Sequence, residues 1–160
     1  MTLKIKLARI DKRLLHATVA LNWNVFIDVD TILLVSPEYV EDPFVAAVMQ
    51  LCLPKSMKVK MLRVEEFMEY IRAEHLEKIK AMVIFSNLTA AYQCFKQGFY
   101  IEEIQMPYPA SRVLLKNLEE YFSETDLKAI REMQQHGIKF YFQTAPLDNK
   151  DYSIFKERKD

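Results

Sequence analysis

The chain has 160 residues, 51% of them hydrophobic and 28% charged, which suits one globular domain and excludes a disordered segment or a multidomain assembly. Lys plus Arg number 22 and so do Asp plus Glu, so no global field attracts nucleic acid or anionic lipid, and charge-driven binding has to be local. Only two glycines, Gly98 and Gly137, are present, which excludes the Walker-type and dinucleotide-type phosphate loops that need several.

In chain order, β-rich apolar runs recur at residues 5–8, 31–35, 59–62, 81–85, 101–105 and 138–142. Helical spacing intervenes at 14–25, 40–53, 64–74, 89–97 and 123–136, the last opening on Ser123 as N-cap and closing before Gly137. Pro107 and Pro109 make the start of 106–115 a loop, which leads into a helical stretch ending near Phe122. Residues 147–160 are rich in Asp and Lys, and Tyr152, Ile154 and Phe155 give them only a small apolar patch, so a partly ordered tail or short surface helix is expected. Alternating strands and helices predict an α/β fold in three layers, a mostly parallel sheet of about six strands with helices on both faces, within one domain over 1–160.

No apolar run approaches the ~20 residues needed to cross a bilayer, and the opening residues lack a secretory core, so the chain reads as cytoplasmic. Cys52 and Cys94 match no metal spacing and are expected to be buried and reduced. His75 and His136 lack metal-like partners and are read as structural, so no metal is expected. The aromatics Tyr92, Phe95, Phe99, Tyr100, Tyr108, Tyr121, Phe122, Phe140, Tyr141 and Phe142 fit core positions better than a stacking platform, since no basic stripe accompanies them, and no nucleic-acid partner is expected.

In an open parallel sheet, ligands bind at the carboxyl ends of the strands, so the loop after the first strand is where chemistry is sought first. It reads Arg9-Ile10-Asp11-Lys12-Arg13-Leu14-Leu15-His16. An imidazole near a helix start, two guanidinium groups and a carboxylate suit a phosphoryl group: a histidine nitrogen accepts it, arginine forks neutralise its oxygens, and helix N–H groups add to the attraction. Asp11 could orient either the imidazole or an arginine. No cofactor is required. The bland alternative is a capping histidine beside solvated ion pairs. Ser86 and Asn87, after the fourth strand, are candidates for contacting a phosphate oxygen or for capping the next helix.

The string Ala8-Arg9-Ile10-Asp11-Lys12-Arg13-Leu14-Leu15-His16, followed by Val19 and Trp23, resembles the opening of the mannose/sorbose-family IIB subunits of the bacterial sugar phosphotransferase system. There the pattern runs Arg-Ile-Asp-x-Arg-Leu-Ile-His-Gly-Gln-Val. Weaker similarity continues through Asp42-Pro43-Phe44, Leu53-Pro54, Ile84-Phe85-Ser86-Asn87 and Gln97-Gly98. The resemblance implies a single IIB-type phosphocarrier domain with strand order 3-2-4-1-5-6. It further implies that His16 takes a phosphoryl group from the phosphohistidine of a IIA protein and passes it to a sugar carried by membrane IIC and IID subunits. Arg9 and Arg13 would bind the phosphoryl oxygens and Asp11 would organise the loop; a homo-oligomer is compatible with this. The chain departs from the family at Ala17-Thr18, where Gly-Gln is usual, and at Met106-Pro107-Tyr108-Pro109-Ala110-Ser111-Arg112, where a glycine-containing loop is usual. Arg112 is then a candidate to restore positive potential. The alternative these departures raise is a IIB-fold paralogue that binds or regulates without turnover, and a third reading is a small-molecule-binding α/β domain.

Overall fold

A computed structural model of the protein describes residues 4–14, 26–51, 53–73, 79–109 and 117–156. Strands β1 (Lys4–Ile10), β2 (Thr31–Val35), β3 (Lys58–Leu62), β4 (Lys80–Phe85), β5 (Glu103–Met106) and β6 (Lys139–Phe142) form one sheet in the order β3-β2-β4-β1-β5-β6. Every neighbouring pair is parallel. The six expected strands and the expected order are all present. The described helices are α1 (Pro43–Leu51), α2 (Val64–Arg72), α3 (Leu88–Lys96) and α4 (Glu124–Gln135).

Crossover handedness decides which helix lies on which face. The β2-to-β3 step runs toward one edge of the sheet, whereas the steps from β3 through β4 and β5 to β6 run toward the other, so right-handed connections put α1 on one face and α2, α3 and α4 on the opposite one. The packing follows. On one face Ile32, Leu34, Met82 and Ile84 meet Met49 of α1 and Leu14. On the other, Leu33, Val35, Ala81, Val83 and Phe85 meet Phe67, Met68, Cys94, Phe95, Ile130 and Met133. Being covered on both sides, β2 is buried along its whole length, as a continuous Thr-Ile-Leu-Leu-Val run requires. Edge strand β3 is half-exposed, and Lys58 and Lys60 keep it from templating another strand.

Helix boundaries follow local chemistry. Helix α1 begins at Pro43, later than the expected residue 40, because proline presets the first helical position and Asp42 Oδ1 accepts from Phe44 N at 3.0 Å. Ser123 caps α4 by accepting from Asp126 N at 3.1 Å. Gly98 and Gly137 take φ +101 and +92 just past α3 and α4, where left-handed backbone lets Phe99 N and Ile138 N bond back to Cys94 O and Met133 O. Strand β5 runs two residues later than expected at its start and stops before Pro107, which cannot donate to a ladder. The helix expected at 14–25 falls, beyond Leu14, outside the described residues.

The carboxyl-terminal segment is held more firmly than a tail. Asp151 bridges antiparallel to Phe142, a short 3-10 turn spans Ser153–Phe155, and Phe155 is buried against Phe122, Phe140 and Phe142. Burying that one ring contributes about 2–3 kcal/mol, which the small count of apolar residues in the segment does not reveal. A second 3-10 turn, Leu118–Glu120, stands where the helical stretch ending near Phe122 was expected.

Candidate active site at the carboxyl edge of the sheet

Four strands each hand a last hydrogen bond to the loop residue of a neighbour. Asp11 N donates to Phe85 O, Ser86 N to Val35 O, Ser36 N to Leu62 O and Gln143 N to Met106 O. This staircase brings Asp11, Ser86 and Gln143 to one edge. Ile10 pairs with Phe85, so Asp11 and Ser86 stand level on adjacent strands.

Asp11 is buried and accepts from two arginines. Its Oδ2 takes Arg9 Nη2 at 3.2 Å and Arg9 Nε at 3.3 Å, while its Oδ1 takes Arg13 N at 3.0 Å and Arg13 Nε at 3.3 Å. Among the described residues the carboxylate therefore faces both arginines. Leu14 N donates to Asp11 O at 2.9 Å and closes a turn that forces Leu14 to φ 54, although its side chain is buried. A leucine in left-handed backbone is uncommon, and such strain persists only where surroundings over-determine it. Here the Asp11 carboxylate and the buried leucyl side chain do so from either end.

The two arginines differ sharply in setting. Arg9 is fully buried, and its third nitrogen, Nη1, donates to Gln105 Oε1 at 2.5 Å and to Gln143 O at 3.5 Å. Burial pulls its pKa below the ordinary arginine value, against the charge and hydrogen bonds of Asp11, which raise it. Arg13 leaves 53% of its side chain exposed while staying paired to Asp11, so of the two arginines it is the accessible one, beside the exposed Lys12.

Ser86 is buried, and its Oγ has no hydrogen-bond partner among the described residues, an unusual state for a hydroxyl beside a charged cluster. Asn87 is the N-cap of α3, accepting from Ala90 N at 2.8 Å and donating to Glu38. Its amide is thus engaged on both sides. His16 and Arg112 lie outside the described residues, as do His75 and Cys52. Cys94 is a buried free thiol whose pKa burial pushes up to about 12. His136 sits at the C-cap of α4, with Nδ1 3.0 Å from Glu132 O, in the structural role expected of it.

Sequence reasoning missed Gln105, Gln143 and Tyr121. Both glutamines are buried, and the available signal was a lone amide inside or just after an apolar strand run, which demands a partner. Tyr121, expected in the core, is 45% exposed with its ring edge-on to Phe142. Burial raises its hydroxyl pKa, and the charge of Asp11 raises it further, placing the phenol in the field of the same loop. Tyr100 is also exposed rather than core, stacking on His136. Among the described residues no group of three acidic, histidine or cysteine side chains could hold a metal, and no helix is long and apolar enough to cross a membrane. A cavity of about 420 Å³ opens beside β1, β5 and β6 between Lys6, Glu103, Tyr141 and Lys150, and Asp11, Arg13 and Ser86 are not among its walls.

Comparison with known proteins gives a consistent answer. The family described as PTS system sorbose subfamily IIB component matches residues 5–157. A PTS system sorbose-specific EIIB component of Lacticaseibacillus casei is 24% identical, over 90% of this chain and 89% of its own length. A PTS system fructose-specific EIIB component of Bacillus subtilis is 23% identical, over 91% of each. Among solved structures, the IIBSor domain of the sorbose permease from Klebsiella pneumoniae superposes with a TM-score of 0.81 at 22% identity, covering 96% of this chain and 95% of that one. A PTS N-acetylgalactosamine-specific IIB component from Escherichia coli gives 0.77 at 19% identity, over 92% and 98%. At these identities the structural likeness speaks for the fold.

Proposed function

The chain belongs to the sorbose subfamily of IIB components of the phosphotransferase system, a class of phosphotransferase components, and on that footing we propose that it is a cytoplasmic phosphocarrier charged on His16. A ring nitrogen of His16 attacks the phosphorus of a phosphohistidine on a IIA protein. The donor's P–N bond breaks as the new one forms, and the donor imidazole leaves. In the second step a hydroxyl oxygen of a sugar bound by membrane IIC and IID subunits attacks the same phosphorus, the P–N bond to His16 breaks with its electron pair on nitrogen, and the proton lost by the hydroxyl is balanced by one taken up by the imidazole, which returns to its neutral form.

The observation that carries this reading is the Asp11 cluster. It fixes the loop three residues before His16 and presents Arg13, half-exposed, at the carboxyl edge where phosphoryl oxygens would arrive. In this reading Arg13 and Arg112 neutralise the oxygens, the Ser86 hydroxyl is a donor in reserve, and Arg9 acts from within by holding Asp11. Asn87 contributes chiefly as the cap of α3, which borders the site. Transfer by this route calls for no metal or cofactor.

A second reading, binding or regulation without turnover, is favoured by one feature of the loop after β5. Tyr108 N donates to Thr144 Oγ1 at 3.0 Å between two prolines, so residues 107–109 offer a phosphoryl group no spare backbone N–H. One experiment separates the readings. Incubation with a phosphorylated sorbose-family IIA protein labels the wild type and leaves His16→Ala unlabelled; a wild type that takes no label supports the non-transferring reading, and label surviving in His16→Ala defeats the assignment of the carrier residue.

A further inference from the structure

Gln105 lies on β5, one strand in from the β6 edge of the sheet, fully buried, with an acceptor turned one way and a donor the other. Its Oε1 receives Arg9 Nη1 at 2.5 Å, and its Nε2 donates to Gln143 Oε1 at 3.0 Å. Gln143 Nε2 in turn donates to Asp148 O at 2.8 Å. The direction of this chain is set at one end, because a guanidinium can only donate. Arg9 compels Gln105 to present its oxygen, which turns the Gln105 amide nitrogen toward Gln143, which turns the Gln143 nitrogen toward a backbone carbonyl. At the other end Arg9 grips Asp11, and Asp11 holds both the backbone N–H and the guanidinium of Arg13.

We infer that Gln105 is a positioning residue: by fixing the posture of Arg9 it sets Asp11, and through Asp11 it sets the backbone and guanidinium of Arg13 at the mouth of the site. This rests on the phosphocarrier reading above for its consequence, though not for its geometry. Removing the Gln105 oxygen takes from Arg9 Nη1 its short acceptor and leaves it the 3.5 Å contact to Gln143 O, so the guanidinium is drawn toward Gln143 and away from Asp11. A buried amide whose sole task was to fill the core would tolerate an apolar residue of like shape; one that orients a charge would not.

The test compares Gln105→Met, which keeps volume and loses the acceptor, with Gln105→Glu, which keeps an acceptor for Arg9, and uses Gln105→Asn, one methylene shorter, if the methionine variant does not fold. Amide hydrogen exchange reads the geometry. Arg13 N–H, bonded to the Asp11 carboxylate, should exchange about tenfold faster in Gln105→Met while amides of α4 keep their protection, and Gln105→Glu should restore it. Phosphoryl acceptance from a phosphorylated IIA protein reads the consequence: kcat should fall by up to about a hundredfold with KM for the donor nearly unchanged, again recovered in Gln105→Glu. Exchange that rises uniformly across the sheet and helices, or is unchanged at Arg13, or is not restored by glutamate, overturns the inference. Should the wild type accept no phosphoryl group, the carrier reading fails while the exchange pattern still decides the role of Gln105.

Discussion

Leu14 bears an unfavourable backbone and a favourable side chain at the same position. Left-handed φ costs a non-glycine residue about 1–2 kcal/mol, whereas burying a leucine contributes about 1.5–3, so packing prevails. The outcome of substitution is correspondingly inverted. Both Leu14→Ala and Leu14→Gly lose the buried side chain, at about 2–5 kcal/mol, yet glycine should be the more stable of the two by about 1 kcal/mol, opposite to the usual order. Urea unfolding of the pair checks this, and alanine proving the more stable would show that the turn relaxes out of the left-handed region. The strain is local to the candidate site, and Asp11 keeps it in place by accepting from Arg13 N.

At the scale of elements, α3 is fixed to the carboxyl edge by its N-cap. Asn87 accepts from Ala90 N and reaches Glu38 in the turn after β2, so one side chain both caps a helix and ties two loops that flank the site. Asn87→Ala should cost about 1 kcal/mol, and Asn87→Ser, which retains a capping oxygen, should recover most of it. If phosphoryl acceptance follows stability through this pair, Asn87 acts as a cap; an Asn87→Ser protein of full stability and lost transfer would assign it to the phosphate instead. Helix α1 is different in kind: it carries no charged residue, buries none of its residues and exposes Phe44, Val48 and Leu51.

Over the whole molecule, the carboxyl-terminal segment gives the fold an acid sensitivity with a definite sign. The Asp151 carboxyl is held below its ordinary pKa by the Ser153 hydroxyl and then by Tyr108, which donates to it at 2.5 Å. Burial pushes Glu103 up, but hydrogen bonds from Lys150 and Tyr152 together with nearby lysine charge pull it below its ordinary value. For both groups the folded pKa is lower than the unfolded one, so their contribution is complete above the ordinary carboxylate range and is lost as pH falls through the depressed folded values. Melting temperature should therefore decline between roughly pH 5 and pH 3, and Asp151→Asn should melt lower at pH 7 and lose less on acidification. An unchanged slope in that variant would remove Asp151 from the account.

Much of this architecture was legible because its signals are local. Ser123 and Gly137 mark the ends of α4 within a turn of the residues they act on, and the apolar runs of β2 and β4 are continuous because both faces are covered. The motif from Arg9 to His16 was legible as a cluster of types, though not that Asp11 would join both arginines. Gln105 and Gln143 were illegible for the opposite reason: the bond from Arg9 to Gln105 joins residues 96 apart, and only the strand order makes them neighbours. Phe155 escaped likewise, since its partners lie on β6 and in the stretch before α4.

Strand order also governs when the molecule can be finished. Strand β1 is made before the other five but lies between β4 and β5, so it must wait for some 75 to 95 further residues before its partners exist. Until β5, β6 and the glutamine after it have emerged, Arg9 has Asp11 but not its complete set of acceptors. Nascent chains stalled before β4 should expose an unpaired β1 to chaperones, and the network that holds the Arg9–Asp11–Arg13 loop is complete only once Gln143 has been made.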